Sequence, residues 1–138
     1  MSERTTDATV GVVLVSHSAT VAESVGQLAV GLAGGATVPV AAAGGGPDGG
    51  LGTSAELITE AARSVDRGAG VAILVDLGSA VLTVKTLLAE GDELPEGARL
   101  VDAPFVEGAV AAVVTASTGA DLDAVAAAAG EAYGYRKE

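Results

Sequence analysis

Four short and nearly uninterrupted apolar runs divide this chain, and they limit what it can fold into more than any other feature. They are VGVVLVS (10–16), TVPVAA (37–42), GVAILVD (70–76) and RLVDA (99–103). A strand with one wet face alternates apolar and polar residues; runs without that alternation belong to strands covered on both faces, as in a parallel sheet. The segments between them carry helical spacing. Parallel strands joined by right-handed helical crossovers build an open, doubly wound α/β sheet. The expected element order is βαβαβαβαα, with a flavodoxin-like 2-1-3-4 strand order, a mainly parallel sheet and helices on both faces.

The helices are placed by their end signals. Val21, Val25, Leu28 and Leu32 recur every three or four residues, Thr20 with Glu23 reads as a capping box, and Gly34-Gly35 is the stop. A second box, Thr53 with Glu56, opens a helix carrying Leu57, Ile58, Ala61 and Val65 on one side, closed by Gly68. Ser79 to Glu90 forms the third, with Val81, Leu82, Leu88 and Ala89 available for burial and Gly91 at its end. After Pro104 two alanine-rich stretches, 105–117 and 121–133, are separated by Ser-Thr-Gly. One domain over residues 10–133 is expected, between a flexible N-terminal segment (1–9) and a short tail (134–138).

Composition removes several classes of function. Eighteen acidic against seven basic residues leave a net charge of −11, and only Phe105, Tyr133 and Tyr135 are aromatic, so a nucleic acid would meet a repulsive field and no stacking platform. With no cysteine there is neither a thiol nucleophile nor a thiolate metal site, and nothing points to an oxidising compartment. One histidine leaves carboxylates as the other ligands, which argues against a transition-metal centre. MSERTTDAT at the start lacks an apolar core, and the apolar runs fall well below the roughly 20 residues of a membrane span. A cytoplasmic protein is expected.

Chemistry therefore gathers at few residues. His17 ends the first strand and Asp76 the third, and in a 2-1-3-4 sheet the chain reverses direction between these two, leaving a crevice at their carboxyl ends. The histidine also precedes a helix start, whose free N–H groups favour an anion. Asp76 either orients that imidazole or merely caps the third helix. The glycine-rich loop 41–54 (AAAGGGPDGGLGTS) allows close backbone approach or is a flexible connection. It is no Walker loop, since Thr53-Ser54 follows Gly52 where Lys is required and Pro47 stands at the first glycine position. DLGSA (76–80) is a second glycine turn entering a helix, so three helix starts are expected around one crevice. Ser16 and Ser18 flank the histidine, but G-x-S-x-G is missing and strand neighbours point to opposite faces, against a serine hydrolase. An imidazole that donates one ring N–H to a carboxylate keeps its other nitrogen as a nucleophile, able to accept and return a phosphoryl group. Backbone amides and Ser/Thr hydroxyls stabilise the transferred charge, and no cofactor is called for.

VLVSHS (13–18), AGGGPDGGLGTS (43–54), DLGSA (76–80) and APFVEGA (103–109), in this order and spacing, strongly resemble the phosphotransfer subunits of phosphoenolpyruvate-dependent dihydroxyacetone kinase, relatives of the mannose-type enzyme IIA domains of the sugar phosphotransferase system. The resemblance covers about residues 9 to 133. It implies that His17 accepts the phosphoryl group from the carrier protein HPr, that Asp76 orients it, and that Thr53, Gly78 and Ser79 neighbour the phosphate. It further implies that the acceptor is ADP on the DhaL subunit, that DhaK binds dihydroxyacetone (glycerone), and that the chain is a homodimeric subunit of a phosphoenolpyruvate–glycerone phosphotransferase. Some members of that family continue into HPr-like and enzyme I-like domains, whereas this sequence stops at Glu138, so the donor is expected in trans. A mannose-type sugar transporter component and a non-catalytic regulatory module of the same descent stay open beside it.

Overall fold

The computed structural model describes residues 9–35 and 37–138; the expected N-terminal segment 1–9 lies, Thr9 apart, outside them. Four strands, β1 (Gly11–Ser16), β2 (Val40–Gly44), β3 (Val71–Val75) and β4 (Ala98–Leu100), form one sheet in the order β2-β1-β3-β4, every pair parallel. The helices are α1 (Ala19–Leu32), α2 (Ala55–Val65), α3 (Gly78–Glu90), α4 (Phe105–Ser117) and α5 (Leu122–Glu131), followed by a single 3-10 turn at Ala132–Gly134. This is the doubly wound α/β sheet that the apolar runs demanded. Among the described residues no helix is long and apolar enough to cross a membrane.

The two central runs divide their side chains between two layers. Val12 and Leu14 of β1, with Ala72 and Leu74 of β3, pack against Val25 and Ala29 of α1, Ala109, Ala112, Val113 and Ala116 of α4, and Val125 and Ala129 of α5. Val13 and Val15, with Val71, Ile73 and Val75, turn to the opposite face and meet Ile58, Ala61, Ala62 and Val65 of α2 and Ala80, Val84 and Leu87 of α3. Both strands are buried along their whole length, and each fully covered Leu or Ile among them contributes about 1.5–3 kcal/mol.

The helix faces differ from the sequence expectation in one consistent way. On α1 the buried residues are Ala22, Val25, Gly26 and Ala29, while Val21, Leu28 and Leu32 remain substantially exposed. On α3, Ala80, Val84 and Leu87 are buried and Leu82 and Ala89 are not. Leu57 of α2 is likewise exposed, whereas Ile58, Ala61 and Val65 are covered as expected. Small residues face the sheet because they let these helices lie close upon it. The caps shift as well. Ser18, not Thr20, accepts the N–H of Val21 to start α1, and Ser54, not Thr53, accepts that of Leu57 to start α2. Gly91, with φ +80°, ends α3 as expected.

One close approach fixes where α1 begins. A Cβ on Gly44, the last residue of β2, would lie 2.5 Å from the Ser18 carbonyl oxygen and 2.6 Å from the Ala19 Cα. Gly44→Ala is therefore expected to lose about 1–3 kcal/mol through overpacking against backbone that cannot yield. Gly31, inside α1 with nothing within 4 Å of its Cβ position, offers the opposite case. Gly31→Ala is expected to gain about 0.5–1 kcal/mol. Chemical denaturation of the two variants checks both signs, and an unperturbed Gly44→Ala protein would contradict the close packing of β2 on α1.

Candidate functional site

Parallel pairing of the two central strands sets Val15 opposite Val75, so the residues that follow, Ser16-His17 on one strand and Asp76 on the other, emerge together at the carboxyl edge of the sheet. The Asp76 N–H donates to the Val15 carbonyl (3.1 Å), extending the pairing to the site itself. The carboxylate then collects four donors. Its Oδ2 accepts from the Ser16 hydroxyl (2.8 Å) and the His17 backbone N–H (3.1 Å). Its Oδ1 accepts from the Leu77 N–H (2.7 Å) and lies 2.9 Å from His17 Nδ1. Burial by itself would raise the Asp76 pKa; the bonds from the Ser16 hydroxyl, the His17 N–H, the His17 ring and the Leu77 N–H outweigh it and hold the carboxyl below its ordinary value.

An ionised carboxylate only accepts, so Nδ1 is the donor of this pair, and in the neutral imidazole Nε2 then keeps its lone pair. Nε2 is met by the Ser79 hydroxyl, in the first turn of α3. Leu77, the N-cap of that helix, makes no side-chain cap, and among the described backbone bonds the N–H groups of Gly78 and Ser79 have no acceptor. An anion attached to Nε2 would thus sit against a hydroxyl and an uncapped helix start, where partial positive charge gathers. The cap reading of Asp76 does not hold: its carboxylate is engaged with His17, Ser16 and the Leu77 N–H and caps no turn of α3.

The glycine loop is tied down rather than loose. Gly45 donates to the Ser16 carbonyl (3.2 Å) and Gly52 to the His17 carbonyl (2.9 Å), while Gly46 and Gly50 close a tight turn (2.8 Å) stabilised by the Asp48 carboxylate on the Gly50 N–H (2.9 Å). Thr53 belongs to this loop, but its hydroxyl pairs with that of Thr83 (3.1 Å), which in turn donates to the Ser79 carbonyl (3.1 Å). The three segments entering α1, α2 and α3 are therefore bonded to one another around His17. Of the residues singled out from sequence, His17, Asp76 and Ser79 share direct hydrogen bonds, Gly78 opens the adjoining helix, and Thr53 braces that helix from the side.

Sequence reasoning passed over two groups. Ser16 is 1% exposed and bonded to Asp76; the signal was a hydroxyl at the end of a run otherwise wholly apolar. The Gly52 N–H holds the His17 carbonyl, and no residue-type signal announces a backbone donor. A cavity of about 440 Å³ between the ends of β3 and β4 and the start of α3 reaches Asp76, Gly78 and Tyr133 but does not include His17. The imidazole stands instead on the open rim, its side chain 23% exposed.

Because the folded carboxyl lies below its unfolded value, ionised Asp76 stabilises the fold above about pH 4, and that contribution is lost as pH falls through the folded pKa. The stability difference between the wild type and Asp76→Asn is thus expected to stay constant above about pH 5 and to shrink below about pH 4. Denaturant titrations across that range measure it; a difference that does not change with acidification would show that the carboxyl is not held low.

A family model described as PTS system fructose IIA component, EIIA-man, matches residues 11–126. Relatives named PEP-dependent dihydroxyacetone kinase, phosphoryl donor subunit DhaM, include one from Escherichia coli, 40% identical over 119 residues and 84% of this chain. The corresponding subunit of a second such kinase from Listeria innocua is 36% identical over 117 residues. This chain spans 25% of the length of the E. coli protein and 93% of the Listeria one. The crystal structure of EF1359, a protein of unknown function, superimposes with a TM-score of 0.79 at 31% identity over 94% of this chain and 98% of its own. A sigma-54 interaction domain protein from Enterococcus faecalis shares the fold, with a TM-score of 0.60 at 23% identity over 86% of each chain.

Proposed function

Because this chain belongs to the EIIA-man family of PTS IIA components, we propose that it is a phosphohistidine carrier of a dihydroxyacetone kinase: His17 takes a phosphoryl group from HPr and passes it to ADP held on DhaL, while DhaK binds dihydroxyacetone. The observation that carries the proposal is the His17 imidazole fixed by Asp76 at Nδ1, with Nε2 facing Ser79 at an uncapped helix start. The relatives named as phosphoryl donor subunits support the choice of pathway.

In this reading the Nε2 lone pair attacks the phosphorus of phospho-HPr, and the donor imidazole leaves with the electron pair of the broken P–N bond. Nδ1 keeps its proton on Asp76, so no separate base is needed. The Ser79 hydroxyl turns from Nε2 to a phosphoryl oxygen, joined by the N–H groups of Gly78 and Ser79. In the second step a terminal phosphate oxygen of ADP attacks, the Nε2–P bond breaks, and its electrons return to the ring. Thr53 supports the phosphate site through Thr83 and the first turn of α3.

The open position of His17 suits delivery between proteins. Leu51, on the loop bonded to His17, is 84% exposed, and Leu77, beside Asp76, is 62% exposed. Such side chains around a group whose phosphoramidate is open to hydrolysis suit a transient partner that covers them and excludes water. The reading sets the chain in the cytoplasm with these partners and includes the homodimer that the resemblance implies.

Phosphoenolpyruvate, enzyme I and HPr are expected to label the protein with acid-labile, base-stable phosphate. His17→Ala abolishes the label, since the chain has no second histidine. Asp76→Asn, with the orienting charge removed, is expected to be labelled more slowly by about ten- to a hundredfold. Retention of label in His17→Ala would overturn the assignment.

The description of the family model as a fructose IIA component favours a second reading, an enzyme IIA of a sugar transporter. Discharge separates the two. Phosphorylated protein mixed with ADP alone is expected to keep its label, because no Walker loop or lysine–metal clamp is present in the sequence to hold a nucleotide. Addition of DhaL with ADP is expected to discharge it and form ATP, and further addition of DhaK with dihydroxyacetone to yield dihydroxyacetone phosphate. Discharge to a mannose-type enzyme IIB and not to DhaL would establish the transporter reading, and discharge to neither the regulatory one.

A further inference from the structure

Ser16 is the one polar side chain of β1, and it is as buried as the valines beside it. A hydroxyl in such a place is tolerated only when its hydrogen-bonding capacity is used. Both of its partners are unambiguous in role. The Ser18 backbone N–H can only donate, and it reaches Ser16 Oγ at 3.1 Å. The ionised Asp76 carboxylate can only accept, and its Oδ2 lies 2.8 Å from the same oxygen. The hydroxyl proton is therefore committed to Asp76, and a directional chain runs from Ser18 N–H through Ser16 to the carboxylate, and from its other oxygen to His17 Nδ1.

We propose that Ser16 is a positioning residue that sets the Nδ1–H tautomer of His17 through Asp76, without touching the ring. The proposal rests on the reading of His17 Nε2 as the phosphoryl acceptor. Its physical basis is the two-sided grip on the carboxylate. Oδ1 is aimed at the imidazole because Oδ2 is held at the same time by Ser16 and the His17 N–H. With the hydroxyl removed, Oδ2 keeps only the 3.1 Å bond from the His17 N–H while Oδ1 keeps the Leu77 N–H, and the carboxylate is held less firmly against rotation about Cβ–Cγ. The Ser18 N–H, at the residue that caps α1, loses its acceptor as well. A single hydroxyl thus couples the start of α1 to the charge that orients the nucleophile, and a carboxylate that swings releases both imidazole tautomers, one of which has no lone pair at Nε2.

The test uses the full chain with Ser16→Ala, Ser16→Cys and Ser16→Thr. Proton–nitrogen NMR of the His17 ring reads the tautomer in the unphosphorylated protein, and transfer from phospho-HPr reads its consequence. The wild type and Ser16→Thr are expected to show a single Nδ1–H tautomer, and Ser16→Ala a mixture of the two. Ser16→Cys keeps the shape with a much weaker donor and is expected to behave like Ser16→Ala, so the question is answered even if the alanine protein does not fold. The transfer rate constant is expected to fall about tenfold in Ser16→Ala and Ser16→Cys, as for the loss of one hydrogen bond to a charged group. KM for HPr is expected to stay unchanged, and Ser16→Thr to recover the rate. A pure Nδ1–H tautomer in both the Ala and Cys variants would overturn the proposal, as would a loss in Ser16→Thr equal to that in Ser16→Ala. A wild type that takes no phosphate while its tautomer still responds to Ser16 would sink the carrier reading and leave the positioning role standing.

Discussion

The Asp76 carboxylate is the point on which the functional end of this molecule depends. Four donors converge on its two oxygens, from the last residue of β1, from both the backbone and the ring of His17, and from Leu77, the N-cap of α3. A charge at the edge of a largely apolar sheet is unfavourable until it is solvated by fixed dipoles, and here those dipoles come from two chain segments some sixty residues apart in sequence. The same bonds that stabilise the ion therefore also fix the relative position of the two loops. Structure and function share one constraint: loosening the carboxylate would loosen both.

That arrangement requires the register of β1 against β3 to be right. Val13, Leu14 and Val15 stand opposite Ile73, Leu74 and Val75, and alternate residues of each strand fill different helix–sheet layers. A slip of one position would turn each layer's side chains to the wrong face. Burial of Leu14, Ile73 and Leu74 thus holds His17 and Asp76 in reach of one another although none of these residues touches the site. The glycine loop holds the Ser16 and His17 carbonyls with two backbone donors, Gly45 on the first and Gly52 on the second.

What could be read from the sequence followed the strength of the physical signals. The runs of β-branched residues located the central strands and the switch point between them, and with these the neighbourhood of His17 and Asp76. The edge strands were less well defined. β2 was expected over 37–42 and pairs over Val40–Gly44, since Pro39 has no N–H to give a ladder and the strand continues into small residues without β preference. The exposed faces of α1 and α3 were misread for a related reason. Spacing of large apolar residues picked out Val21, Leu28, Leu32 and Leu82, but a sheet covered closely by helices buries Ala22, Gly26, Ala29 and Ala80 instead. The capping boxes at Thr20 and Thr53 matched a pattern, while the actual caps, Ser18 and Ser54, are the residues whose extended backbone leaves the preceding segment (φ −123° and −134°). Ser16 illustrates the limit most clearly: the sequence argued only against a serine nucleophile beside the histidine, and the bonds to Asp76 and Ser18 reveal a brace.

The position of the histidine relative to the cavity is itself informative. The hollow beside this site reaches Asp76 but is not lined by His17, whose side chain is partly exposed at the edge of the sheet. In the proposed carrier role such partial exposure is what is required, because the same nitrogen would be approached by a donor and then by a different acceptor. A deep pocket would serve one partner and obstruct the other. The fold accordingly supplies rigidity beneath the imidazole, through Asp76 and Ser16, and a hydroxyl and an uncapped helix start beside it, through Ser79 and the start of α3. Under that proposal, selectivity between donor and acceptor would lie in the surface around the rim, where the exposed Leu51 and Leu77 stand, and the chemistry at Nε2 would be the same in both directions.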